Sequence, residues 1–174
     1  MSSFDIKNLI VQGVNSAITR PFVEAQQAHK KPVYPYATFQ VLTAHSNEYE
    51  HDNIKTENVA SSNPSFTYDV RKSKIEQPQM ILSINAYSKI SASDTTDNSI
   101  QEAVELAQEI KDWLDFKGDL YLEQNNITVV ESEDILQRDV FIVDQYERRY
   151  GFDVRIRYDE SIDVTIESIE QVTL

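Results

Sequence analysis

Phe152-Asp153-Val154-Arg155-Ile156-Arg157-Tyr158 sets an apolar side chain at every second position with a charged one between each pair. Successive side chains of an extended chain point to opposite faces, so this period of two predicts a half-buried strand. Downstream, Ile162, Val164 and Ile166 alternate with Asp163, Thr165 and Glu167, and the short Asp159-Glu160-Ser161 link predicts a hairpin. Setting Ile156 against Val164 and Val154 against Ile166 matches the apolar faces and puts Arg157 opposite Asp163 as an opposite-charge pair. Upstream, short apolar runs at residues 127–130 and 140–143 add two more strands, so the C-terminal third reads as sheet.

Before it comes a helix. Ile100, Val104, Ala107, Ile110 or Lys111, and Leu114 form one stripe, widened by Ala103, Leu106 and Trp113. Ser99 and Glu102 have the spacing of a capping box, and the helix should end before Gly118. Trp113 is expected as a core anchor. Earlier still, Phe66, Tyr68 and Val70 alternate with polar residues, as do Met80, Leu82, Ile84 and Ala86. The intervening Lys74-Ile75-Glu76-Gln77-Pro78 predicts a turn between antiparallel neighbours, with Pro78 at a strand start or an edge. The N-terminal part opens on Ile6, Leu9, Ile10, Val14, Ala17 and Ile18, a helical stripe behind a Ser2/Ser3 cap. Pro21 should end that helix near Thr19-Arg20, with a further turn at residues 22–28. After the extended Lys31-Pro32-Val33-Tyr34-Pro35, a strand is expected at 36–43 with Ala37, Phe39 and Val41 on one face. Residues 45–65 are polar without a period and read as a long loop, a place for partner contact. These elements predict an α+β fold, a mostly antiparallel sheet with two main helices packed on it, as one unit over residues 1–174.

Composition narrows the function. The 174 residues contain no Cys, which excludes thiol nucleophiles, disulfides and Cys-based metal sites. A formal charge of −13, from 29 acids against 16 bases, disfavours general nucleic-acid binding, which needs clustered Lys and Arg at the phosphates. The start MSSFDIKNLI has neither a basic lead nor a signal core, and no run approaches the roughly 18 apolar residues that span a bilayer, so a cytoplasmic site of synthesis and no membrane partner are expected. His29, His45 and His51 lack ligand spacing, so no metal residue is assigned. Gly13, Gly118 and Gly151 stand too far apart for a phosphate loop or dinucleotide turn, so no cofactor is assigned either. Nor does any serine sit in a glycine-flanked elbow, and the Glu131, Glu133 and Asp134 group is what chance gives in so acidic a chain. No catalytic residue follows. The one basic cluster, Arg148, Arg149, Arg155 and Arg157 with Tyr146 and Tyr150, is interleaved with Asp144, Glu147, Asp153 and Asp159. Such residues are favoured at protein interfaces, and Tyr146, Arg148, Arg149, Tyr150 and Arg155 are the expected subunit contact.

Pro35-Tyr36-Ala37-Thr38 after a first helix, Gln77-Pro78-Gln79-Met80-Ile81-Leu82-Ser83, a helix holding Trp113, and Tyr146-Glu147-Arg148-Arg149-Tyr150-Gly151-Phe152-Asp153 follow in that order. This arrangement resembles the bacteriophage neck or tail-completion (tail terminator) proteins over nearly the whole chain. The resemblance implies a virion subunit of a ring, a hexamer in the usual case, without catalytic residues. Its implied partners are further copies of itself, the major tail tube protein, the head–tail connector, and genomic DNA passing through the lumen. The competing expectation is a small cytoplasmic adaptor that captures a partner with residues 45–65.

Overall fold

The structure is a computed structural model, and it describes residues 2–26, 30–46, 53–64, 66–89, 97–142 and 145–167, with backbone alone at 140–142, 145 and 146. Along the chain run α1 (Ser3–Ala17), β1 (Phe22–Glu24), β2 (Tyr36–Ser46), β3 (Asn53–Ala60), β4 (Tyr68–Glu76), β5 (Gln79–Lys89) and α2 (Ser99–Asp112). A π-helical turn (Trp113–Lys117) and α3 (Asp119–Gln124) follow, then β6 (Ile127–Ser132), β7 (Leu136–Gln137), β8 (Val140–Ile142), β9 (Gln145–Tyr158) and β10 (Glu160–Glu167). The α+β reading holds, with α1 and α2 as the main helices.

The strands form two sheets. The larger has β1, β2, β5 and β9 side by side, and β6, β7 and β8 pair in turn along the far edge of β9. Only β1 and β2 run parallel among its pairs. One face of this sheet carries Ala37 and Phe39 of β2, Met80, Leu82 and Ile84 of β5, and Phe152, Val154 and Ile156 of β9, all buried. Those are the alternating positions expected from sequence. Against them pack Ile6, Ile10 and Val14 of α1 and Leu106, Ala107 and Ile110 of α2 in one core. Each such large side chain contributes about 1.5–3 kcal/mol through removal from water. The cap of α1 is Ser2, whose hydroxyl accepts the Asp5 N–H while the Asp5 carboxylate accepts the Ser2 N–H at 3.1 Å. Trp113 anchors the helical layer as expected. Its indole lies against Gly13 and Gly118 so closely that a Cβ on Gly13 would stand 2.5 Å from Cη2, and its ring centroid is 5.9 Å from that of Tyr121.

The second sheet has the order β10-β4-β3, antiparallel throughout. It overturns three expectations. Residues 45–65 are not one loop: β2 runs through His45 to Ser46, and residues 53–60 are β3, while 47–52 and 65 lie outside the described residues. β4 and β5 do not pair; Gln77 and Pro78 carry the chain from one sheet into the other. Likewise β9 and β10 form no hairpin, and Asp163 lies opposite Ser73 of β4 instead of Arg157. In each case pairing with a distant strand displaced the sequence-adjacent one.

Smaller differences have local causes. Residues 22–24 are the edge strand β1 and not a helical turn, because the Pro21 carbonyl accepts the Ala37 N–H, the Phe39 carbonyl accepts the Ala25 N–H, and Phe22 packs on Phe39 at 5.1 Å between centroids. Residues 27–29, the remainder of that turn with His29, lie outside the described residues, as do His51, Val143 and Asp144. The capping box of α2 does not form: the Glu102 carboxylate accepts the Ser88 hydroxyl at 2.6 Å, and the Asp97 carboxylate accepts both the N–H and the hydroxyl of Ser99. Ile100, placed on the buried stripe, is 41% exposed. Finally, α3 follows Gly118 in a stretch to which the sequence assigned no element, and it stops where Asn126 takes φ 55°, a left-handed helix terminus that Asn tolerates.

Candidate functional site

The face of the large sheet turned away from the helices carries a polar network. Register brings Tyr36, Tyr87 and Arg149 into one row, Thr38, Asn85 and Gly151 into the next, and Gln40, Ser83 and Asp153 into a third. The Tyr36 and Tyr87 rings stack at 5.0 Å and 9°, and the Arg149 guanidinium lies 5.6 Å from the Tyr87 centroid. Arg149 Nε donates to Asn85 Oδ1 at 3.0 Å. Arg138 reaches over the same rows, its Nη1 donating to Ser83 Oγ and Asp153 Oδ1, each at 3.0 Å. Asp139 accepts the Arg149 N–H at 2.6 Å and Arg148 Nη1 at 3.2 Å. Burial opposes the Asp139 charge, but the bonds from the Arg149 N–H, Gln137 and Arg148 outweigh it and hold the carboxyl below the usual range.

The five expected contact residues do not form one patch. Arg149 and Arg155 point to the outer face, where Arg155 Nη1 stands 3.8 Å from Glu131 Oε2. Arg148 and Tyr150, one position out of phase, fall on the helix side: Arg148 approaches Asp97 and Asp139, and Tyr150 packs on the core. Tyr146 pairs with Phe141 in the ladder, and its side chain lies outside the described residues.

Sequence reasoning missed two clusters. In the first, one oxygen of the nearly buried Glu147 accepts bonds from Lys31 Nζ, Tyr34 OH and, at 3.4 Å, Tyr36 OH. Burial raises both tyrosine pKa values strongly, and the Glu147 charge raises them further. Burial opposes the charge on Lys31, yet its bond to Glu147 leaves its pKa raised. A tyrosine whose folded pKa exceeds the unfolded value, about 10, stabilises fully below that pH and loses the contribution as pH climbs toward the folded pKa. Ultraviolet titration should therefore show Tyr34 and Tyr36 staying protonated after the exposed tyrosines ionise, then titrating with unfolding. The Tyr34→Phe/Tyr36→Phe variant should shrink that late step to the share of Tyr158, whose pKa burial also raises; ionisation of every tyrosine in one folded-state step would contradict the network. The second cluster is His45, Glu76 and Glu160, whose ligand atoms lie within 4.8 Å of one another where the two sheets join. Lys74 ion-pairs with Glu76, so a cation already offsets these facing carboxylates.

Arginines, carboxylates and amides engaged in this way hold one another in place across the outer face. Residues 6–174 match the model of a family described as phage neck terminator protein. No curated protein matches the chain.

Proposed function

The chain belongs to the phage neck terminator family, structural proteins of the virion neck, and from that membership we propose that it acts as a ring subunit, with six copies as the expected number. In this reading the ring ends the tail tube, meets the tube protein on one side and the head–tail connector on the other, and lets genomic DNA pass. The single observation that carries it is the family match across residues 6–174. Physical features support it. A net charge of −13 keeps a DNA passage from holding its cargo, since attraction to phosphate would slow transit. The interlocked outer face of the large sheet suits a part that transmits load, and assembly in the host cytoplasm as one unit fits a chain without any described helix long and apolar enough to cross a membrane. A monomeric adaptor grasping its partner with residues 45–65 has less support, because 53–60 are fixed in a ladder with β4.

Size-exclusion chromatography with light scattering over a concentration series, followed by negative-stain microscopy with isolated tail tubes, tests the proposal. The expected result is a closed ring, free or capping tube ends. A strict monomer that leaves tubes uncapped would overturn it.

A further inference from the structure

The second sheet is amphipathic with its apolar face uncovered. Its register aligns Ile54, Lys74 and Ile162 in one row, Thr56, Lys72 and Val164 in the next, then Asn58, Val70 and Ile166, then Ala60 and Tyr68. These rows share one face, because side chains two apart point the same way. On it Ile54, Tyr68, Ile162, Val164 and Ile166 are 38–62% exposed. The opposite face holds Lys55, Glu57, Arg71, Asp163 and Glu167, with Val59 and Ile75 as its apolar members. Exposed apolar patches of this kind mark protein contacts.

Lys72 stands exposed among the aliphatic side chains of the bare face, while Lys74 is paired with Glu76 at its base, beside Glu160. Elsewhere on the same chain lies the converse surface. Phe116 and Leu120, 78% and 67% exposed, project from the π-helical turn and α3. Beside them runs a groove of about 690 Å³ whose described lining has the carboxylates of Asp115, Asp119, Glu123, Glu131 and Asp159 and one cation, Arg157, with Lys111 and Arg155 reaching Asp115 and Glu131 from outside the lining. An apolar face that presents Lys72 thus has a counterpart in apolar groups among carboxylates.

We infer that the Ile162/Val164/Ile166 face of β10, β4 and β3 docks on the Phe116/Leu120 surface and acidic groove of a second copy of this chain. The two surfaces differ, so the contact is head-to-tail and repeats from copy to copy, as a closed ring requires. This inference rests on the ring reading and deepens it by naming the contact.

The lack of cysteine gives a clean test. Val164→Cys/Phe116→Cys, mildly oxidised at concentrations where light scattering shows association, or on tail tubes, should give a ladder of covalent oligomers, while either single variant should give none. Lys72→Glu should weaken self-association about tenfold, and mixing with Asp115→Lys/Asp119→Lys should restore it. Circular dichroism checks that these exposed substitutions leave the fold intact. Association without the ladder and without charge rescue would overturn the docking surface and leave the ring reading standing. Absence of any association, free or on tubes, would overturn the ring reading and this contact together.

Discussion

Trp113→Ala is expected to cost about 3–5 kcal/mol of stability, the range for truncating a large buried aromatic. For a chain of this length that lowers the melting temperature by roughly 10 °C. The indole is 7% exposed and fills the space between Gly13 of α1, Gly118 and the Tyr121 ring, whose hydroxyl donates to the Leu9 carbonyl at 3.0 Å. Removing it opens a cavity that neither backbone-lined wall can collapse into, and it loosens α3 from α1. Urea unfolding followed by circular dichroism measures the cost, since the substitution also removes the only tryptophan. A loss below about 1 kcal/mol would show that this helical layer holds without its anchor.

Gly151→Ala is the second large effect, expected at about 2–3 kcal/mol through overpacking. A Cβ at that position would stand 2.3 Å from Asn85 Oδ1 and 2.4 Å from the Ile84 carbonyl oxygen, both nearer than side-chain carbons come. The carbonyl belongs to the neighbouring strand, so β5 and β9 must separate, and Asn85 must give up Arg149 and Arg138. Asn85→Ala on the same background should recover only part of the loss, because the carbonyl conflict stays. Full recovery, read by the same unfolding measurement, would place the whole conflict in the amide.

Where one face of a strand is buried, its sequence declared it. Met80, Leu82 and Ile84 in β5 and Phe152, Val154 and Ile156 in β9 are read directly from period two. The second sheet was legible by alternation in β4 and β10, but its β3 escaped because Ile54 and Val59, on opposite faces among polar residues, show no period of two. Its pairings escaped for another reason. Proximity along the chain favours β4 with β5 and β9 with β10, but Pro78 and Asp159 pass between sheets, and nothing local records that. The arginine cluster was legible as a set of residues but not as a surface. Alternation, already in hand for β9, would have sent Arg148 and Tyr150 to one side and Arg149 and Arg155 to the other. Glu147 with Tyr34, 113 positions apart, left no signal in a single sequence.

The passage of β4 into β5 and of β9 into β10 has a mechanical consequence. Gln79 and Arg157 are cross-strand partners at the end of the large sheet nearest the second one, where the Gln77 amide donates to Asp159 Oδ1 at 2.9 Å and the Pro78 carbonyl accepts the Tyr158 N–H. Besides the link from β2 to β3, the smaller sheet therefore hangs from two ropes that are neighbours in the large sheet. A pull on it draws β5 and β9 the same way, so the ladder between them feels no slip, and a twist is resisted by the spacing of the two attachments. A neighbour gripping that sheet would tow the core of the molecule as a unit, without unzipping it.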